Sequence, residues 1–288
     1  MKNTEDKLGN LLNEPKKKTR KTKKQLEKEL LLEYKYENPC DDSLLNKSYT
    51  MMQHLSQKER KAFDEKFTQP KNGMQRDYHN LLNQKTKKIV VATGPAGTGK
   101  TLFATETGVK YFLMGMFDKL IFTRPSVSVD EDLGYLPGTL EEKMAPWVRP
   151  IYDILYNFMT PKEVTAMLEE KIIEISPLGY MRGRTFKNCW IVADEMQNST
   201  VSQMKMLMTR LGENSRLVIT GDLDQHDRHN EQNGLEDFLS KFKGKRSASI
   251  SSVEFDNTDI QRENVVKEVL EIYGGDIPIH YHSGSDSD

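Results

Sequence analysis

Residues 94–101 read GPAGTGKT, a full match to the pattern GxxxxGK[ST]. The motif directly follows the aliphatic run KKIVVAT and directly precedes LFATETGVKYF, which has a helical pattern. A glycine-rich turn between a strand and a helix lets backbone N–H groups point inward at phosphate oxygens, and the helix N-terminus adds partial positive charge there. This stretch therefore predicts a βα unit that binds a nucleoside triphosphate. A glycine-rich turn without function is the alternative, and the flanking strand and helix disfavour it.

The eight residues of this phosphate loop have distinct expected roles. Lys100 is expected to be catalytic by reaching the β and γ phosphates, and the Thr101 hydroxyl is expected to ligate Mg²⁺. ATP and Mg²⁺ are therefore the expected cofactors. The nucleotide-binding residues are Gly94, Pro95, Ala96, Gly97, Thr98, Gly99, Lys100 and Thr101.

Short aliphatic or β-branched runs alternate with helical stretches through the rest of the chain. Strands separated by helices predict a parallel sheet with right-handed crossovers, and so an α/β fold with helices flanking the sheet. After Gly234 we expect a helix, then the low-complexity run KGKRSASISS, then a helix from about Arg262 to Tyr273. The expected strands are Ile89–Ala92, Leu120–Thr123, Ile172–Ile175, Trp190–Ala193 and Leu217–Thr220.

The composition of the chain indicates the cellular compartment in which it is expected. The chain has 288 residues, a net charge of −1 and only two cysteines, Cys40 and Cys189, which excludes a disulfide framework and a cysteine zinc site. No apolar run approaches the roughly 18 residues that a membrane span requires. We therefore expect a cytoplasmic protein with no membrane contact.

The chain divides into four expected segments. Residues 1–30 are a disordered basic arm, because PKKKTRKTKK at 15–24 carries like charges and no apolar surface to bury. Residues 31–69 are an N-terminal helical extension, 70–273 the nucleotide-binding domain, and 274–288 a flexible acidic tail. The arm either binds phosphate backbones or serves only solubility.

Two carboxylates end the aliphatic run WIVADE at 190–195. Strand alternation turns their side chains in different directions, so one can hold metal while the other addresses water. Asp194 is expected to bind Mg²⁺, and Glu195 to orient or deprotonate the attacking water as a catalytic residue. A kinase must exclude water from its site, so Glu195 disfavours that class.

A second polar strand end follows in ITGDLDQ at 219–225. A side-chain amide there can donate to the γ phosphate and report its loss after hydrolysis. Gln225 is the expected catalytic sensor, and Gln197 is a second candidate. The alternative for either residue is an ordinary turn position.

Seven blocks in order and spacing resemble the PhoH-like protein family. They are GPAGTGKT, TRPSV (123–127), LGYLPG (133–138), PLGYMRGRT (177–185), DEMQN (194–198), QMKMLMTRLG (203–212) and ITGDLDQ. Members of this family are known as phosphate-starvation-inducible ATPases, both bacterial and phage-borne. Their core is similar to the first RecA-like domain of superfamily-one helicases. The resemblance implies a single RecA-like P-loop NTPase core, in the host cytoplasm if the chain is phage-encoded.

The same resemblance assigns two further residues. Gln75 corresponds to the glutamine that reads adenine through its amide, with a surface helix position as the alternative. Arg262 corresponds to a late catalytic arginine, although the residues around it differ from the family pattern.

Three arginines suit contact with RNA or single-stranded DNA. Arg124 ends a strand on the edge where helicase-like proteins touch nucleic acid, and Arg182 and Arg184 flank Gly183. The alternative for the last two is a salt-bridged loop. Tyr135 and Trp147 are candidate stacking residues, with packing as their alternative.

The expected function is Mg²⁺-dependent ATP hydrolysis coupled to RNA or single-stranded nucleic acid. The alternative is a nucleotide-dependent switch or assembly factor that acts on a protein partner. One RecA-like core leaves the γ phosphate open on one side, so a homo-oligomer is expected in which a neighbour supplies an arginine. The candidates for that arginine are Arg262, Arg228 and Arg184.

Overall fold

Six strands form one all-parallel sheet in the computed structural model, which describes residues 57–125, 140–227 and 231–262 together with 265, 266 and 269. The strand order across the sheet is β3-β2-β4-β5-β1-β6. The five expected strands are confirmed within a residue or two at their ends. The strands are β1 (Ile89–Thr93), β2 (Lys119–Arg124), β3 (Ile173–Pro177), β4 (Cys189–Ala193), β5 (Arg216–Gly221) and β6 (Ile250–Glu254).

Seven α-helices accompany this sheet in the described part of the chain, and none of them is long and apolar enough to cross a membrane. The basic arm, most of the N-terminal extension and the acidic tail lie outside the described residues, as does most of the helix expected from Arg262. The helices are α1 (Gln57–Asp64), α2 (Gly73–Asn83), α3 (Lys100–Leu113), α4 (Leu140–Tyr156), α5 (Pro161–Glu169), α6 (Val201–Met208) and α7 (Gly234–Phe242).

Helices cover both faces of the sheet because alternate strand residues point to opposite sides. On one face, Val90 and Val192 pack with side chains of α2, α3, α4 and α5 in one buried cluster. On the other face, Val91 and Ile191 pack with side chains of α6 and α7 in a second cluster. The observed architecture is therefore the three-layer α/β arrangement that the alternation of patterns indicates.

Strand β6 was not expected, because ISSVE lies at the end of a serine-rich, low-complexity run. It forms at the edge of the sheet by pairing in parallel with β1, from Ile89↔Ile250 to Thr93↔Glu254. Only Val253 of the strand is buried. A half-exposed edge strand needs little apolar sequence, which explains why periodicity gave no signal for it.

Helix α3 lies close against β4 because Gly108 has no side chain. A Cβ atom on Gly108 would come within 2.4 Å of the indole of Trp190. The same indole donates a hydrogen bond from Nε1 to the carbonyl of Ala104 at 3.0 Å. Gly108 therefore sets the distance between the helix that follows the phosphate loop and the strand that leads to Asp194.

We expect Gly108→Ala to destabilise the fold, although a glycine-to-alanine change inside a helix ordinarily gains about 0.5–1 kcal/mol. Overpacking against the buried Trp190 is expected to cost about 1–3 kcal/mol and to outweigh that gain. Urea unfolding measures the difference. Gly73→Ala is the matched control, since a Cβ there meets only the Arg76 guanidinium at 3.9 Å. Equal stability of both variants would contradict the close approach.

Candidate active site

The phosphate loop joins β1 to α3 and takes a backbone shape that requires glycine. Gly94 and Gly97 have φ angles of 129° and 86°, in the region that side chains disfavour. A Cβ atom on Gly94 would also lie 2.2 Å from the carbonyl oxygen of Phe255. The segment that follows β6 therefore packs directly against the loop and supports it.

Lys100 is the first residue of α3, and its side chain turns back into the loop. Its Nζ donates to the carbonyl oxygens of Gly94 at 2.6 Å and Pro95 at 2.7 Å. Burial lowers the pKa of this lysine, and the nearby carboxylates of Asp222, Asp194 and Glu195 oppose that effect. The cation thus lies at the centre of the cradle, where a phosphate group can exchange with the carbonyl contacts.

Thr101 and Asp194 meet although 93 residues separate them. The Thr101 hydroxyl donates to Oδ1 of Asp194 at 2.8 Å, and the Thr220 hydroxyl donates to the same oxygen at 2.5 Å. This pairing follows from the strand order, since β5 lies between β1 and β4 and the carboxyl ends of all three meet at one edge.

These oxygens fit Mg²⁺, which prefers hard oxygen ligands such as hydroxyl, carboxylate and water. Thr123 lies beside the pair, because its carbonyl accepts from the Asp194 backbone N–H at 2.9 Å. The Thr123 hydroxyl is buried and has no hydrogen-bond partner among the described residues. A water molecule bound next to the metal would satisfy this hydroxyl.

Glu195 follows β4 in a left-handed backbone conformation, with φ of 52° and ψ of 39°. Non-glycine residues rarely adopt this conformation, and it often marks a functional position. The turn directs the Glu195 carboxylate along the carboxyl edge of the sheet, where Nε2 of Gln197 donates to it at 2.5 Å.

Gln197 is fully buried and connects the ends of β4 and β5. Besides its bond to Glu195, its Nε2 donates to the Gln225 carbonyl at 3.2 Å, and its Oε1 accepts from the Asp222 backbone N–H at 3.1 Å. Gln225 in turn donates from Nε2 to the Asp222 carboxylate at 2.6 Å. Gln197 thus holds the candidate base and the candidate sensor in one network, while Gln225 reaches the surface of the cleft.

One cleft of about 260 Å³ brings these groups together. Lys100 and Thr101 face Asp194 and Glu195 across it, and Gln225 closes one side. A cation, three carboxylates and an amide in one cleft, next to a curled run of backbone N–H groups, can hold a triphosphate and position water beside it.

We expect Gln197→Ala to lower the turnover number on the order of 100-fold with little change in ATP affinity, because it frees Glu195 without touching the phosphate loop. Steady-state ATPase kinetics together with nucleotide titration separate the two effects. Gln232→Ala, which removes an exposed amide, is the control. A parallel loss of ATP affinity and melting temperature would show instead that Gln197 acts only on folding.

Gln75 lies beneath the phosphate loop. It is only 3 % exposed, its Nε2 donates to the Thr98 carbonyl at 3.0 Å, and its Oε1 accepts from the Lys71 N–H at 2.8 Å. Both ends of the amide are therefore engaged within the chain, which leaves one amide hydrogen for a further partner. The structure connects Gln75 to the loop, and adenine recognition stays a prediction.

Arg262 contacts the phosphate loop of its own chain. A Cβ atom on Gly97 would lie 2.5 Å from Arg262 Nε, and the Gln261 N–H donates to the Gly97 carbonyl at 3.0 Å. This contact lies within one subunit, and the expected insertion of an arginine by a neighbouring subunit stays a prediction. Gly97 and Arg262 are 165 residues apart in the sequence and meet only in the folded chain. No local sequence pattern could have predicted this contact.

The predicted nucleic-acid arginines have different surroundings. Arg184 forms a bidentate pair with Glu174, with Nη2–Oε2 at 2.7 Å, and its guanidinium stacks on Phe186 at 4.7 Å. The salt-bridged alternative thus holds for Arg184, because a neighbouring carboxylate neutralises its charge. Arg182 is exposed and Arg124 is half-buried. Tyr135, Arg228 and the Trp147 side chain lie outside the described residues.

Two further residues at this edge of the sheet had no assigned role in the sequence. Thr220 shares Asp194 with Thr101, and Asp222 links Gln225 to Gln197. Both belong to ITGDLDQ, directly at the end of β5. Polar residues at the carboxyl end of a strand were the signal that could have found them.

The all-parallel sheet, the glycine-rich loop between β1 and α3 and the Thr101–Asp194 pair define a P-loop NTPase core of the RecA-like type. The chain belongs to the PhoH-like protein family, whose sequence model matches residues 68–274.

Curated relatives agree with this assignment. A PhoH-like protein of Bacillus subtilis (strain 168) is 42% identical over 200 residues, which cover 69% of this chain and 61% of the relative. Protein PhoH of Escherichia coli (strain K12) is 39% identical over 198 residues, which cover 68% of this chain and 55% of the relative. The aligned part thus spans only about three fifths of the length of these relatives.

Among solved structures, similarity extends to ATPase cores of low sequence identity. The Sulfolobus solfataricus SWI2/SNF2 ATPase core in complex with dsDNA aligns with a TM-score of 0.37 and 14% identity, covering 65% of this chain and 45% of that one. Bacteroides Pif1 bound to ssDNA aligns with a TM-score of 0.30 and 18% identity, covering 71% and 46%. At these scores, the fold assignment rests on the sheet and loop described above.

Proposed function

We propose that this protein binds ATP with Mg²⁺ in the cleft at the carboxyl edge of the sheet and hydrolyses it. The observation that carries the proposal is the direct contact between Thr101 of the phosphate loop and Asp194 at the end of β4, with Lys100 and Glu195 in the same cleft. Hard oxygen ligands, a phosphate-binding cation and a water-directed carboxylate are the set that phosphoryl transfer to water requires.

Each residue has a defined task in this mechanism. The backbone N–H groups of residues 94–101 and the Lys100 ammonium bind the phosphates and offset the charge that grows during transfer. Thr101 and Asp194 would hold Mg²⁺, which supplies neutralisation of the β and γ oxygens. Glu195 accepts a proton from the attacking water or orients it in line with the γ phosphate.

Gln225 and Arg262 complete the site from two other segments. The Gln225 amide donates toward the γ phosphate and, through Asp222 and Gln197, is linked to Glu195. Arg262 is the last residue of the strap, residues 255–262, which lies on the phosphate loop, so its guanidinium can reach phosphate oxygens from the same subunit. Gln75 supports the loop from below and offers one amide hydrogen to a base.

We further propose that hydrolysis is coupled to RNA or single-stranded DNA. What supports this coupling is an edge of the sheet shared by the cleft and two basic residues: half-buried Arg124 ends β2, the neighbour of β4, and exposed Arg182 follows β3. The basic arm, residues 1–30, is a second proposed contact. A switch acting on a protein partner is the alternative coupling.

ATP turnover measured with and without single-stranded RNA, single-stranded DNA and duplexes tests both the hydrolysis of ATP and its coupling to nucleic acid. We expect Mg²⁺-dependent hydrolysis that is lost on chelation with EDTA and stimulated by a single strand. Absence of hydrolysis with every nucleic acid, at full nucleotide binding, would favour a binding-only switch. Hydrolysis that no nucleic acid changes would leave the ATPase intact and refute the coupling.

A further inference from the structure

A groove of about 820 Å³ runs along the outer edge of β3, the strand at one end of the sheet. Helices α4 and α5 form one wall, and the turn that follows β3 forms the other end. The residues that give it its chemical character are Arg149, Tyr152, Lys171, Glu174, Tyr180 and Arg184. Its size falls within the range of about 300–1,000 Å³ that is typical of ligand sites, so it has room for a short run of nucleotides.

Tyrosine rings are available at this groove. Tyr180 is 60 % exposed, although a large ring of this kind ordinarily buries most of its surface. Tyr152 forms part of the lining and stacks on the exposed Tyr156, with ring centroids 5.9 Å apart and an interplanar angle of 20°. These rings offer flat faces on which unpaired bases can stack.

The groove carries a surplus of positive charge. Glu174 and Arg184 neutralise each other in their bidentate pair. Arg149 and Lys171 both line the groove and are exposed. Two cations beside aromatic faces complement a single strand, which presents phosphates and bases together, better than they complement a neutral peptide strand.

The groove is also connected to the ATP site through the sheet. Ser176, in the groove lining, is paired with Thr123 of β2, and Thr123 is paired with Ala193 of β4. The Thr123 carbonyl accepts the backbone N–H of Asp194 at 2.9 Å. With strands about 4.8 Å apart, the end of the groove lies about 10 Å from the candidate metal ligand.

We infer that the groove along β3 binds single-stranded nucleic acid, with bases stacked on Tyr180 and Tyr152 and phosphates at Arg149 and Lys171. The inference rests on the proposed coupling of the ATPase to nucleic acid and names its binding surface. It also assigns the phosphate contacts to Arg149 and Lys171 instead of Arg184, whose guanidinium is paired with Glu174.

Fluorescence anisotropy with labelled oligo(U) and oligo(dT), measured on the full chain over a range of salt concentrations, tests the inference. Tyr180→Ala is expected to weaken binding about 5- to 150-fold at unchanged salt slope, because it removes a stacking face. Tyr180→Phe keeps the face and is expected to bind like the wild type. Comparing the two oligonucleotides distinguishes RNA from DNA as the preferred strand.

The variants that remove a charge are expected to change the salt dependence of binding. Arg149→Gln and Lys171→Asn are each expected to reduce the salt slope by about 0.7, the value for one lost contact to a single-stranded phosphate. Asparagine suits position 171 because Lys171 has a φ of 57°. Lys85→Gln is the control, since Lys85 is exposed in the loop before β1, away from β3 in the sheet order.

Cross-linking tests where the oligonucleotide binds, and basal ATPase activity tests the proposed function separately. A thiouridine-substituted oligonucleotide is expected to cross-link to peptides within residues 148–184, and cross-links confined to other segments would overturn the inference. Unchanged oligonucleotide affinity in all three groove variants would overturn it as well, and a changed sedimentation coefficient in those variants would then identify a protein interface. Failure of the proposed function would appear separately, as absent ATP hydrolysis in the wild type or as hydrolysis that no nucleic acid changes.

Discussion

Replacing Lys100 with alanine is expected to abolish nucleotide binding, whereas Glu195→Gln is expected to bind ATP normally and to lose turnover by about 10²–10⁴-fold. The Lys100 ammonium lies inside the cradle of carbonyl oxygens, so its loss removes the main cation that meets the phosphates. Glu195 lies across the cleft and is proposed to act on the attacking water, so its loss is expected to affect only the transition state. Fluorescent-nucleotide titration and steady-state phosphate release measure the two quantities.

Folding has to be monitored in this comparison. Lys100 is 8% exposed, and its removal leaves two carbonyl oxygens without their donor, so thermal unfolding of Lys100→Ala is the necessary control. Glu195→Gln is isosteric and keeps an oxygen toward Gln197. Equal losses of ATP affinity in both variants, at unchanged melting temperature, would contradict the role given to Glu195.

Arg262→Ala is expected to lower turnover on the order of 10³-fold, the loss typical of a catalytic arginine at a transferring phosphoryl group. Because Arg262 lies on the Gly97 loop of its own chain, the defect is expected to act within the subunit. Mixtures of Arg262→Ala and wild-type protein should therefore show activity proportional to the wild-type fraction. Phosphate release from a titration of the two proteins at constant total concentration is the measurement.

Two controls make the mixing experiment decisive. Arg246→Ala removes an exposed arginine after α7 and is expected to leave turnover unchanged. Glu195→Gln chains, which are inactive but keep Arg262, report any effect of assembly itself. If Arg262→Ala depresses wild-type turnover below proportion while Glu195→Gln does not, the arginine acts between subunits and the placement within one chain is not the catalytic one.

The sequence predicts most of the sheet because its signal is local. β1, β2, β4 and β5 carry the apolar runs that a sheet covered on both faces requires, and β3, at the edge, alternates apolar residues with Glu174 and Ser176. The resemblance to the PhoH-like family adds seven sequence blocks that match in order and spacing. The family assignment is confirmed over residues 68–274. β6 is missed because its edge position demands almost no apolar residues.

Side-chain partners of Arg184 and Gln197 show where local reasoning ends. Glu174 lies in β3 and Arg184 in the turn that follows, and no motif specifies the path of that turn. The sequence therefore could not distinguish a salt bridge from a phosphate contact for Arg184. Gln197 looked like a phosphate sensor or a turn residue, yet it is fully buried and links Glu195 to Asp222. Such pairs depend on how two strand ends approach each other.

By itself, the sequence determined the phosphate loop, the alternation that makes a parallel sheet, and the two carboxylates at the end of β4. Each of these depends on neighbours within about ten residues, where backbone preference and apolar periodicity act directly. Only the tertiary structure decided that β5 lies between β1 and β4, that Thr101 meets Asp194, and that Arg262 lies on its own loop. Those contacts join residues that are far apart in the chain, and they form only when buried apolar faces have fixed the strand order and the path of the strap after β6.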